Sequence, residues 1–139
     1  GTAGPAIAPD GTLYAATTGG YLVALTERTL DPKAIFKNPG GGFNSSPVVF
    51  DHKGRTLLAA TTAHGRLKLF DPATLSKNEL LDTSDRFSAN DYAAGSVTSW
   101  QDIAGVRWLL APASGPDANK TGFPTRNGEV KNGALVAYK

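Results

Sequence analysis

The chain has no cysteine and no methionine. Lack of thiols excludes disulfides, thiolate metal sites and cysteine nucleophiles, and leaves no mark of a redox compartment. Lack of methionine means that Gly1 is not a translational start, so processing or trimming from something longer is expected. No apolar run approaches the roughly 20 residues of a membrane helix, and no basic start followed by an apolar stretch marks a signal peptide. Membrane insertion is not expected. Neither sign of charge dominates: 14 Lys and Arg face 12 Asp and Glu, a net charge of +2, and the cations are scattered. Nucleic acid is therefore not an expected partner. What the chain does have is 16 Gly, 9 Pro and Thr-rich runs among 139 residues, with 40% apolar content. That composition predicts a folded all-β domain of short strands joined by turns.

The strands come in repeats. Residues 20–30 (GYLVALTERTL) return without a gap as residues 65–75 (GRLKLFDPATL), and residues 133–139 (GALVAYK) begin a third copy. Upstream, AATT at 15–18 recurs at 59–62, a spacing of 44, while Gly20 and Gly65 lie 45 apart and Pro5 and Pro47 lie 42 apart. Each unit reads as four strands. In the first these are 5–9, 13–18, 21–25 and 33–37, broken by the Pro-Asp-Gly turn at 9–11 and the Gly19-Gly20 hairpin. In the second they are 47–50, 56–62, 67–70 and 79–81. The third has 97–100, 106–111 and 135–138, with a long insertion over 112–132 and no fourth strand. A period in the low forties with four strands per unit points to β-propeller blades built as antiparallel meanders. The expected architecture is an incomplete ring of about three blades, over about 4–37, 45–82 and 95–139, the last without its outer strand. Blade faces are apolar on both sides, so other blades or another chain, copies of this one included, are the expected partners.

The order Ser-Pro-strand, Gly-x-Leu-Tyr-Ala-strand, Gly-x-Leu-x-Ala-Leu-strand and Thr resembles the pyrroloquinoline-quinone-type propeller repeat. The resemblance implies either a quinoprotein dehydrogenase or a non-catalytic scaffold, in a periplasmic or secreted setting. That family's docking motif runs Ala-x-Asp-x-x-Thr-Gly-Lys-x-x-Trp. Ala24, Thr29, Asp71 and Thr74 match it, but Leu30 and Leu75 replace Gly, and Ala34 and Glu79 stand where Trp belongs. The departures favour a non-catalytic binding or scaffolding module, with no cofactor evident. Pyrroloquinoline quinone with calcium belongs only to the alternative, a segment of a quinone-dependent dehydrogenase.

Strand parity sorts the loops. In a meander, alternate connections share a rim, so the second-to-third turns and the loops between units belong together. Glycines 19 and 20, the turn at 63–65, the Gly-rich 38–44, residues 84–95 and the insertion collect on one rim, which is the favoured binding face. On it, His64, Arg86, Asn90, Asp91 and Tyr92 are the candidate ligand-binding residues, able to hold a polar or anionic ligand. The plainer reading makes Asn90 and Asp91 turn formers and His64 a solvated loop residue. The 40–42 glycines lack the spacing of a phosphate loop and read as a flexible connection. His52 falls on the opposite rim, so the two histidines do not share a metal. No serine has a nucleophile setting, and no catalytic residue is assigned. Trp100 and Trp108 are expected to pack between blades.

Overall fold

The computed structural model describes residues 3–88, 95–114 and 133–139. They form an all-β fold of three antiparallel sheets. Sheet 1 is the meander β1 (Ala6–Ile7), β2 (Leu13–Ala16), β3 (Tyr21–Leu25) and β4 (Pro32–Lys37). Sheet 2 repeats it with β5 (Val48–His52), β6 (Arg55–Thr61), β7 (Leu67–Phe70) and β8 (Asp82–Thr83). Sheet 3 has β9 (Thr98–Gln101), β10 (Arg107–Ser114) and β11 (Gly133–Tyr138), with no fourth strand among the described residues.

The sheets pack face to face in chain order, and side-chain alternation decides what each face offers. Tyr14, Leu22, Ala24 and Phe36 of sheet 1 meet Leu58, Ala60 and Phe70 of sheet 2. Ala59 and Leu67, on the other face of sheet 2, meet Leu109, Ala111 and Ala113 of sheet 3. Sheet 2 is thus covered on both sides. This is why β6 is buried without interruption from Leu57 to Thr61 and reads as a continuous apolar run. Phe70 is fully buried, with the Phe36 ring edge-on at 4.9 Å and Phe43 at 6.1 Å.

Three expectations need correction. The last strand of the second unit lies at Asp82–Thr83 and not at 79–81, because a 3-10 helix over Pro72–Lys77 comes first. Asp71 caps it by accepting from the Ala73 N–H, Pro72 supplies the preset φ of a first turn, and the fully buried Leu75 drags the helix onto the core between sheets 1 and 2. Next, Pro112 to Ser114 belong to β10 and not to the insertion. Pro112 is tolerated because β9 pairs β10 only as far as Leu110, so its missing N–H costs no ladder bond on that side. The rest of the insertion, 115–132, lies outside the described residues.

The third correction concerns register. The two AATT stretches align at a spacing of 44, yet the turns that follow them superimpose at 45. Thr17 and Thr62 play the same part, each donating its N–H four residues on, to Tyr21 O at 2.8 Å and Arg66 O at 2.9 Å. A slip of one residue moves every side chain to the other face. Ala15 therefore corresponds to Ala60, and Tyr14 to Ala59.

Candidate functional site

The hairpin turn of each four-stranded sheet is built from a Thr-x-x-Gly pattern. The Thr17 and Thr62 hydroxyls accept from the Tyr21 and Arg66 N–H groups, and the Gly20 and Gly65 N–H groups return to the Thr17 and Thr62 carbonyls. Gly20 at φ 84° and Gly65 at φ 69° hold the left-handed conformation that closes the turn.

The segment linking sheet 1 to sheet 2 then crosses both turns. Asn38 N–H donates to Gly20 O at 2.8 Å and Phe43 N–H to Thr17 O at 3.0 Å, while Gly42 O accepts from Ala63 N–H at 2.9 Å. The buried Asn38 amide donates to Gly41 O at 2.7 Å, tying the segment to itself. The connection between sheets 2 and 3 does likewise, Phe87 N–H donating to Gly65 O at 2.8 Å. Two buried serines reach forward from these connections into the second strand of the following sheet. Ser45 Oγ accepts from Thr61 N–H at 2.9 Å, and Ser88 Oγ from Ser114 N–H at 3.0 Å.

The 40–42 glycines are accordingly not a loose connection. A Cβ on Gly42 would lie 2.1 Å from Thr18 O, and one on Gly41 would lie 2.9 Å from His64 Nε2. Glycine is present because two backbones and an imidazole approach closely. That signal differs from flexibility, and only the twin turn at 63–65 hints at it in sequence.

The exposed His64 ring lies over Gly41 on this rim. Arg86 is exposed in the connection after sheet 2, where its Nε donates to Ser88 O at 2.8 Å, so part of its donor set is taken locally. Asn90, Asp91 and Tyr92 lie outside the described residues.

On the opposite rim each first-to-second turn opens with an aspartate that accepts from the turn's own N–H groups: Asp10 from Thr12, Asp51 from Gly54, and Asp102 from Ala104 and Val106. His52 is at this end, beside Lys53, Gln101 and Arg107. Asp102 also accepts from Trp108 Nε1 at 2.9 Å. That indole bond, helped by the Val106 N–H, holds the Asp102 carboxyl below the ordinary carboxylate range. The Trp108 ring is therefore fixed by a polar partner at its edge, a role that the expectation of packing did not contain. Asp10 is lowered in the same way, chiefly by the Thr12 N–H.

Among the described residues no group of three or more His, Asp or Glu could hold a metal ion.

No family model matches the chain, and no curated protein matches it. Among solved structures, the crystal structure of the computationally designed Ika8 protein is similar, with a TM-score of 0.50 at 11% identity. The match covers 77% of this chain and 28% of the designed one, and at that identity it speaks for the fold alone.

Proposed function

We propose that this chain is a non-catalytic binding or scaffolding module of the quinoprotein-like β-propeller type, with its three sheets as blades. The observation that carries the reading is the rim where residues 38–44 cross two Thr-x-x-Gly turns. There the backbone is pinned while His64 stays exposed over Gly41, and Arg86 stays exposed in the next connection, which crosses the second of those turns. Loops on a rigid scaffold that carry variable polar side chains are where recognition surfaces are built. The docking positions held by Leu30, Ala34, Leu75 and Glu79 argue for the same module and against a quinone enzyme.

Panning a displayed peptide library against the immobilised chain tests the rim. Peptides enriched on the native chain should be lost on a His64→Ala, Arg86→Ala variant, and enrichment indifferent to both changes would place binding elsewhere. Thermal melts with pyrroloquinoline quinone and calcium test the enzyme alternative. The module reading expects no shift, whereas a dose-dependent rise in Tm with quinone-dependent dye reduction would overturn it.

A further inference from the structure

We propose that this chain associates head to tail with a second copy of itself, the outer face of sheet 3 in one copy packing on the outer face of sheet 1 in the next. Sheet packing drives this association, whatever the rim binds.

Among the described residues one kind of sheet contact occurs, and it is used twice. A forward face, Tyr14 and Leu22 in sheet 1 or Ala59 and Leu67 in sheet 2, packs on the backward face of the next sheet, Leu58 and Phe70 in sheet 2 or Leu109 and Ala111 in sheet 3. One backward face and one forward face remain over.

The first belongs to sheet 1. Register places Leu13 with Leu25, and Ala15 with Val23 and Ile35, on the side away from Tyr14 and Leu22. The second belongs to sheet 3, where Trp108 pairs with Trp100, Leu110 with Ala137 and Pro112 with Leu135, away from the core. Both are mainly apolar and open to solvent, with Lys37 at one edge of the first lying over the Tyr21 ring: Ile35 is 48% exposed, Trp100 53% and Leu135 64%. Contiguous apolar area of this kind marks an interaction surface.

The two faces are not equivalent. They are the two halves of the contact that the chain already makes between sheets 1 and 2 and between sheets 2 and 3. A second copy carries both halves, so stacking sheet 3 of one copy on sheet 1 of the next repeats the forward-to-backward sheet contact on the same backbone plan. Pairing a face with its own duplicate would need a contact that occurs nowhere in the described residues. Head-to-tail contacts close into a ring or grow open-ended, as the rotation between copies dictates.

Sedimentation velocity of the full chain over a concentration series tests this. The native chain should associate with rising concentration. Ile35→Asp and Leu135→Asp, each at a solvent-exposed position, should both sediment as the 14.5 kDa monomer. Far-UV circular dichroism confirms that they remain folded. Mixed in equal amounts, the two variants should recover a one-to-one dimer, because each still offers the half that the other lacks. Ile103→Asp, the same exchange of an apolar side chain for a carboxylate in an exposed turn off both faces, should behave as the native chain does. A native chain that stays monomeric throughout, or a mixture that does not reassociate, would overturn the proposal. So would dissociation by only one of the two face variants, the mark of a face pairing with itself.

Discussion

Three glycine substitutions separate close approach from backbone conformation, and so test how the rim is held. Gly54 is at φ 75° with nothing within 4 Å of where a Cβ would stand, so Gly54→Ala carries only the cost of a left-handed alanine, about 1 kcal/mol. Gly42 is the reverse case: its Cβ would sit 2.1 Å from the Thr18 carbonyl oxygen, more than an ångström inside ordinary contact. Both backbones there are tied, by Phe43 N–H to Thr17 O and by Ala63 N–H to Gly42 O. Overpacking a tight site costs about 1–3 kcal/mol, and weakening one of those hydrogen bonds adds about 1 kcal/mol. Gly42→Ala should therefore lose about 2–4 kcal/mol. Gly65→Ala combines φ 69° with a Cβ 2.4 Å from Ser88 O and should be the worst of the three. Urea denaturation reads the order. With a slope of about 2 kcal/mol per molar, the midpoint should drop by about 0.5 M for Gly54→Ala and about 1–2 M for Gly42→Ala. A Gly42→Ala midpoint no lower than that of Gly54→Ala would refute the close approach of the two segments.

Phe70→Ala removes the ring that Phe36 and Phe43 both contact edge-on, and should cost about 3–5 kcal/mol in the same assay; a loss under about 1 kcal/mol would mean that the sheets are not packed through it. Ser45→Ala leaves the fully buried Thr61 N–H without its acceptor, so a loss of about 1–3 kcal/mol and faster exchange of the Thr61 amide are expected. The Asp102 carboxyl titrates below its ordinary value. Its bond to Trp108 is therefore fully present above the unfolded carboxylate pKa of about 3.9 and fades as pH falls through the lower folded value. In a Trp100→Phe background, Trp108 emission should change over that acid window, and Asp102→Asn should abolish the change. An emission that stays constant until global unfolding would count against the pair.

The turn glycines at 19–20 and 65 were legible because turn chemistry is local, whereas the threonine hydroxyl that opens each Thr-x-x-Gly turn emerged only from the structure. Strand parity likewise put the linking segments on the rim of the hairpin turns, and the hydrogen bonds from Asn38, Phe43 and Phe87 run where that parity requires. What the repeat concealed was divergence under matching letters. Leu30 and Leu75 occupy the same offset, yet Leu30 sits 55% exposed at φ 57° in a turn, while Leu75 is fully buried in a 3-10 helix. The difference is made a few residues earlier, where Asp71 and Pro72 form a cap and first turn and Thr26 and Glu27 do not. Matching AATT with AATT was misleading for a related reason. Alanine and threonine suit either face of an inner strand, and only the fixed distance to the turn glycine decides which face each takes. Of the candidate site, His64 and Arg86 were found as exposed polar residues in rim loops. The close packing beneath them was not, since a glycine required by a neighbouring backbone looks the same in sequence as a glycine in a free loop.

The two internal sheet contacts share a backbone plan but are filled differently, and this sets the order in which the protein opens. Between sheets 1 and 2, Phe36 stands opposite Leu22 in the ladder and reaches Phe70, with Leu75 closing the periphery. Between sheets 2 and 3 the corresponding place belongs to Ser84, which pairs with Leu67. A hydroxymethyl group does not fill the volume of a phenyl ring. The result is a gap of about 280 Å³ walled by Phe50, Leu69, Leu109 and Tyr138, with Asp82, Ser84 and Lys139 also lining it. The Arg107 Nε beside it is buried with no hydrogen-bond partner among the described residues. A contact with a gap and an unsatisfied donor loses dispersion and hydrogen-bond energy that the other contact keeps. Sheet 3 should therefore separate from sheet 2 at lower free energy than sheet 1 does. Native-state hydrogen exchange at low protein concentration measures this directly. The amides of β10 that pair with β9 should exchange faster than those of β2 that pair with β3, with β6, covered on both faces, slowest of all. Equal protection of β2 and β10 would show that the missing phenyl ring is compensated elsewhere.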